Sequence, residues 1–288
     1  SAVFNAAVIP AVCILAVTIK GVNGEQVTKI NLLKSTIIRD GFFFIFAELA
    51  LIYFLGNTSL TWWMGATLIV IYFIYFSILM RGIGSEGVDE NDEDEEDEED
   101  EARGFLGSIV TFDYNQLIFR GADFTAGSAW VVLILATSTI GAACFLLAEA
   151  VMASAAALNV PAYFTAVILG AAATSVPDTV ISVKDAMKGD YDDAVSNAVG
   201  SNIFDICVAL GLPLMIYGLA YGDVSLTSTG SGSDVQILRL VLIMITFLIL
   251  GLLLTGTSST NDEGEAIKSI GKGRGWVLLS FYVLWTDR

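Results

Sequence analysis

Thr174-Ser175-Val176-Pro177-Asp178-Thr179, followed by Gly200-Ser201-Asn202-Ile203-Phe204-Asp205, sets carboxylates, hydroxyls and amides inside stretches that are otherwise apolar. Thr174, Asp178 and Ser182 recur at helical spacing, as do Asn197, Ser201 and Asp205, so each set lines one helix face. An aspartate at the centre of a membrane helix costs about 2.5–3.5 kcal/mol even on the lenient insertion scale. Asp178 and Asp205 therefore need a compensating charge, and neither stretch contains a lysine or arginine. A bound cation supplies it. Pro177 lacks an amide hydrogen and clashes with the carbonyl of residue 173, which predicts an interruption that frees carbonyls near Ala173 and Thr174. Irregular backbone is tolerated in a membrane only against protein or a watery cavity. Carboxylate, hydroxyl and carbonyl oxygens together suit hard ions such as Ca²⁺ and Na⁺.

Working outward, the chain of 288 residues is 55% hydrophobic. A membrane helix needs about twenty apolar residues. Eight stretches qualify, at 2–18, 41–55, 60–80, 129–158, 162–183, 194–220, 235–254 and 275–285. The expected fold class is an all-α polytopic membrane protein. Trp62, Trp63, Trp130, Trp276 and Trp285 mark the ends of spans, as interfacial aromatics do. The net charge of −17 arises in one tract: 13 of the 31 acids lie between Glu86 and Glu101, leaving 18 acids against 14 bases elsewhere. If all eight spans cross, 12 basic residues face one side and only Arg239 and Arg288 face the other. The positive-inside rule then makes the richer side, and with it the acidic loop, cytoplasmic. That loop reads by default as a solvated linker, because it lacks the alternating ligands and glycine of an EF-hand.

An internal repeat appears at an offset of 200: Ser1, Phe4 and Val8 recur as Ser201, Phe204 and Val208, and Asn5 stands where Asp205 does. The two copies open the first and sixth spans, so they cross the membrane in opposite directions. Inverted repeats of this kind build transporters whose ion site lies at the midplane.

These residues resemble the calcium/cation antiporter superfamily, and within it the sodium/calcium exchangers. The segment 174–179 and the segment 200–205 look like the second of two signature repeats, and residues 1–5 like the tail of the first. Arg39-Asp40 and the run from Trp62-Trp63 to Tyr72 and Tyr75 are weaker likenesses. The resemblance implies eight helices of a ten-helix inverted-repeat antiporter. Residues 1–80 would belong to the first half, 81–128 to the acidic loop and 129–288 to the second half. It implies a metal site drawn from Asp178, Asp205, Asn5, Thr174, Ser175, Ser201 and Asn202, with Asp178 as the main acidic ligand. Asp205 is typical of potassium-dependent exchangers, whereas the Val-Pro-Asp-Thr wording also occurs in potassium-independent ones. Ala173 and Ala2 depart from the usual Gly and Asn. The remainder of the first repeat, with its own acidic segment, would lie upstream of Ser1. Without those helices the 288 residues alone are not expected to transport.

The activity implied is exchange of Na⁺ for Ca²⁺, with K⁺ as a further transported ion, in a plasma or organelle membrane. No enzyme, cofactor or nucleic-acid partner is expected. One alternative is a proton/calcium exchanger, although its usual Gly-Asn-Ala-Ala/Thr-Glu wording is missing, as is every histidine. Another is a transporter-derived subunit of a larger membrane complex. Thr179 and Ser182 read equally well as interhelical glue. Glu48 and Glu149 read either as lining a path or as pairing helices. Cys13, Cys144 and Cys207 read as unpaired thiols in apolar runs.

Overall fold

Unbroken apolar runs between polar connections give long helices, because a helix satisfies every backbone amide and carbonyl internally. The computed structural model describes residues 2–22, 25–83, 126–159, 171–226, 232–260 and 264–286. Its helices are α1 (Ile9–Lys20), α2 (Lys34–Leu55), α3 (Trp62–Ile83), α4 (Ala126–Leu158), α5 (Ala171–Lys188), α6 (Tyr191–Phe204), α7 (Gly211–Tyr221), α8 (Gly232–Leu254) and α9 (Lys272–Thr286). Two single-turn π-helices, Phe4–Val8 and Asp205–Leu210, lead into α1 and join α6 to α7. By length and composition three helical stretches among the described residues can cross a membrane: Trp62–Arg81, Gly127–Leu158 and Tyr191–Tyr221. Phe4–Lys20 and Leu240–Leu254 are shorter apolar helices. Helix α2 begins well before the apolar run at residue 41 and takes Arg39 and Asp40 into its first turns.

The chain divides into two units, Ser1–Leu79 with Ala171–Arg288, and Met80–Gly170. The described part of the second is chiefly α4, which carries Glu149. The acidic tract lies outside the described residues, as does the first part of the stretch expected at 162–183.

In the first unit, α1 packs on α5 and α9, α2 packs on α6 and α8, and α5 lies along α6. The interior is filled by Ile9, Ile14, Phe44, Leu68, Ile203, Ile249, Leu253 and Leu278, all essentially inaccessible. Helices α3 and α7 meet through glycine. A Cβ on Gly65 would strike the carbonyl oxygen of Gly211, and one on Gly218 would lie 2.9 Å from Trp62. Small residues let membrane helices approach until their backbones touch.

Two small sheets flank the helices. The first has the order β1-β5-β4, with β1 (Lys29–Leu33), β4 (Thr257–Thr260) and β5 (Ala266–Gly271) all antiparallel. Ile30 sits opposite Ile270 in its buried face, and Ser269 Oγ donates to Asn31 Oδ1 at 2.7 Å. The second pairs β2 (Ser59–Leu60) with β3 (Val224–Ser225). The connections after the first and seventh apolar stretches thus share one sheet, and those after the second and sixth share the other.

The interruption expected at Pro177 is not there. Helix α5 runs through the proline from Ala171 to Lys188. The ring removes only the one amide that would have served the carbonyl of residue 173, and neighbouring turns keep the helix. Backbone irregularity lies at the two π-helical turns instead.

Candidate cation site

The π-helical turn 4–8 packs against α5 and α6. It begins at Phe4, and its counterpart begins at Asp205, so the sequence repeat is echoed in local helix geometry. A π turn inserts an extra residue and re-aims the side chains around it, a feature frequent at functional sites. Asn5 Nδ2 donates to Ser201 Oγ at 3.0 Å, and Asn202 Nδ2 donates to the carbonyl of Ala2 at 3.1 Å. As numbering rises from 2 to 5 in one segment, the partner falls from 202 to 201 in the other. Residues 2 and 5 of one repeat copy thus meet residues 202 and 201 of the other.

These bonds fix which way the amides point. The Ala2 carbonyl can only accept, so Asn202 must turn its nitrogen towards it. Ser201 has one hydroxyl proton, directed at the Ala198 carbonyl at 3.1 Å or at the Asp178 carboxylate, so Asn5 must donate to it. Both amide oxygens then face inward with no donor: Asn5 Oδ1 and Asn202 Oδ1 are buried and unpartnered. Ser175 Oγ, on the α5 turn before Asp178, is likewise buried and unpartnered. Their residues are 1%, 0% and 0% exposed. A buried polar group left unsatisfied costs about 1–3 kcal/mol. Buried oxygens without donors are the chemistry that a hard cation satisfies.

Asp178 is half-buried, with the Ser201 hydroxyl as hydrogen-bond partner and Asp205 as the charge acting on it. Asp205 and Asn202 line a cavity of about 320 Å³ together with Ala2 and Glu48. Asn5, Ser201 and Asp178 are thus brought together, Ser175 lies on the same helix one turn before Asp178, and Asn202 and Asp205 share the lining of the cavity. Thr174 is exposed. Among the described residues no three His, Cys, Asp or Glu side chains converge.

Two residues of the polar stripes serve packing. Asn197 Nδ2 donates to Ser182 Oγ at 2.9 Å and to the Asp178 carbonyl at 3.3 Å, tying α6 to α5. Thr179 Oγ1 returns to the Ser175 carbonyl at 2.7 Å, the back-bonding usual for threonine in a helix. A network absent from the expected site centres on Asp40, which is 2% exposed. It accepts from Arg39 Nε at 2.6 Å, Ser196 Oγ at 2.6 Å and the Tyr75 hydroxyl at 3.3 Å, locking α2, α3 and α6 together. The Arg39-Asp40 pair was visible in sequence, but its partners on α3 and α6 were not.

The sequence profile of the sodium/calcium exchanger protein family matches residues 128–286. Over 76 residues the chain is 46% identical to sodium/potassium/calcium exchanger Nckx30C of Drosophila melanogaster, covering 26% of this chain and 9% of that protein. It is 45% identical over 84 residues to sodium/potassium/calcium exchanger 2 of Mus musculus, covering 29% and 12%. It is 39% identical over 106 residues to sodium/potassium/calcium exchanger 3 of Homo sapiens, covering 35% and 16%. Each match spans less than a fifth of the relative's length. No solved structure matches the chain.

Proposed function

The chain belongs to the sodium/calcium exchanger protein family, and from that premise we propose that it contributes part of the ion site of an exchanger of Na⁺ for Ca²⁺ with K⁺ as a co-transported ion. The family and its long apolar helices make it an integral membrane protein. The observation that carries the proposal is the set of buried oxygens without donors, Asn5 Oδ1, Asn202 Oδ1 and Ser175 Oγ, on the segments that carry Asp178 and Ser201. Potassium enters the proposal because the relatives are named for sodium, potassium and calcium and because Asp205 adds a second carboxylate.

Asp178 is the main ligand of the transported Ca²⁺. Asn5, Ser175, Ser201 and Asn202 contribute neutral oxygens, Thr174 stands at the entrance, and Asp205 holds the monovalent ion. Na⁺ competes for the same carboxylates, so the two cargoes cannot fill the site together. Empty, the site holds bare carboxylates whose passage through a low-dielectric interior carries a desolvation penalty of several kcal/mol per ion. Reorientation is therefore favoured only when cations are bound, which couples the two fluxes by alternating access. Contact between the two repeat copies, Asn5 with Ser201 and Ala2 with Asn202, supports a site shared by both repeats. The sheet joining residues 29–33 to 266–271 supports placing those connections on one side. By the basic residues they carry, that side is cytoplasmic.

The test is ⁴⁵Ca²⁺ binding to the purified chain in nanodiscs. Asp178→Asn weakens binding by about tenfold or more, the loss of one charged ligand worth about 1.5–3 kcal/mol. Unchanged Ca²⁺ affinity in that variant, with the helical content intact, sinks the assignment.

A further inference from the structure

Asp40 reaches the helix that carries Ser201 from the side opposite the candidate cation site. Its Oδ1 accepts from Arg39 Nε at 2.6 Å and from the Tyr75 hydroxyl at 3.3 Å. Its Oδ2 accepts from Ser196 Oγ at 2.6 Å and from Arg39 Nη2 at 3.2 Å. Asp40 and Tyr75 are both buried, so little water competes for these bonds. The Tyr75 ring packs on Phe43 with centroids 5.3 Å apart. Its hydroxyl lies over the bare backbone of Gly200, 3.4 Å from where a Cβ would stand.

Two faces of α6 are therefore anchored separately. Ser196 and Gly200, four residues apart, meet α2 and α3. Asn197 and Ser201, again four apart, meet α5. Asn197 bonds the Asp178 carbonyl and Ser182, and Ser201 bonds the Asp178 carboxyl group. The four positions belong to one rigid helix, so a rotation that breaks contacts on the first face re-aims the second.

We infer that Asp40 and Ser196 are positioning residues for the cation site: they set the rotation of α6 and so aim Ser201 at Asp178. The inference rests on the cation-site reading and adds these two residues to it. Asp40 is not itself a ligand, because Arg39 offsets its charge and its four accepted bonds fill the lone-pair sites of a carboxylate. The geometry makes rotation costly to binding. At the Cα radius of about 2.3 Å, a turn of α6 by about 20° moves an atom about 0.8 Å, and a side-chain oxygen moves further. Hydrogen bonds and Ca²⁺–oxygen contacts each tolerate only about 0.3–0.5 Å. A small slip on the Asp40 face therefore takes Ser201 out of reach.

A double-mutant cycle, read as ⁴⁵Ca²⁺ affinity of the full chain in nanodiscs, separates aiming from packing. Ser196→Ala leaves the Arg39–Asp40 pair in place and lowers Ca²⁺ affinity about fivefold, near the value of one hydrogen bond. In a Ser201→Ala background the same change shifts affinity by less than about twofold, because the group it aims is gone. Asp40→Asn gives the same pattern with a fall of about tenfold. Thermal unfolding in chelator shows which variants have folded, and if Asp40→Asn has not, the Ser196→Ala cycle decides alone. A purely structural anchor lowers stability without this coupling. Unchanged Ca²⁺ affinity in Ser196→Ala, or an equal fall in the parent and Ser201→Ala backgrounds, overturns the inference. Failure of the cation-site reading looks different, because Asp178→Asn then binds Ca²⁺ as tightly as the parent.

Discussion

Replacing Asn5 with leucine separates a ligand from a packing residue, because the two roles give different outcomes. Asn5 is 1% exposed, its Nδ2 donates to Ser201 Oγ at 3.0 Å, and its Oδ1 has no partner. In the absence of Ca²⁺, leucine removes a buried acceptor whose unsatisfied state costs about 1–3 kcal/mol, at the loss of one hydrogen bond worth about 0.5–1.5 kcal/mol. Leucine is the bulkier side chain and overpacking offsets part of that gain, so the ion-free variant stays within about 1 kcal/mol of the parent. With Ca²⁺ at a hundredfold excess over its dissociation constant, the parent gains about 2.7 kcal/mol of stability. A tenfold weaker site gains only about 1.4 kcal/mol at the same concentration. Thermal unfolding in nanodiscs, with chelator and with Ca²⁺, reads both quantities on one sample. If Asn5→Leu destabilises the ion-free protein by more than about 2 kcal/mol and keeps the full Ca²⁺ increment, Asn5 is a packing residue and the ligand argument fails.

Asp40→Asn loses the charge on which Arg39, Ser196 and Tyr75 converge. Thermal unfolding should show a loss of about 1.5–3 kcal/mol, and parent-like stability would make that network idle. Gly65→Ala drives a Cβ into Gly211 and to 2.7 Å from the Met215 amide nitrogen, separating α3 from α7. Overpacking there should cost about 1–3 kcal/mol by the same assay. Burial first, and then the charges of Asp193 and Asp190, holds the Asp185 carboxyl above its ordinary value of 3.8. A carboxyl raised in the folded state favours folding when protonated and opposes it once ionised. Asp185→Asn therefore stabilises the protein at neutral pH, and its advantage over the parent shrinks as the pH falls towards 4. An advantage that is constant with pH would count against this.

Much of the candidate site was legible because membrane helices make polar residues conspicuous. Asp178, Ser201 and Asn202 stand out in apolar runs at helical spacing, and Asn5 was found through its repeat partner Asp205. The contacts Asn5–Ser201 and Ala2–Asn202 then join the segments that the repeat had linked. Pro177 misled because a propensity rule speaks of one helix alone, whereas α1, α6 and the first π turn pack around α5. The π turns themselves leave no periodic signal over five or six residues. The first sheet escaped notice because its strands are short and β1 and β5 are far apart in sequence. Glu48 was noticed, but its partner Thr246 lies 198 residues away, and only tertiary packing brings the two together. Asp40 looked like half of a local pair at a span boundary, and its burial by α3 and α6 has no one-dimensional trace.

The most direct measurement is an ion-resolved density map of the chain determined with Ca²⁺ and again with chelator. A Ca²⁺-dependent peak should lie about 2.3–2.6 Å from oxygens of Asp178 and Asn5, with Ser175, Ser201 or Asn202 completing the shell. No such peak, or amide oxygens of Asn5 and Asn202 satisfied by protein donors in both maps, would contradict the proposal that these oxygens are held for a cation.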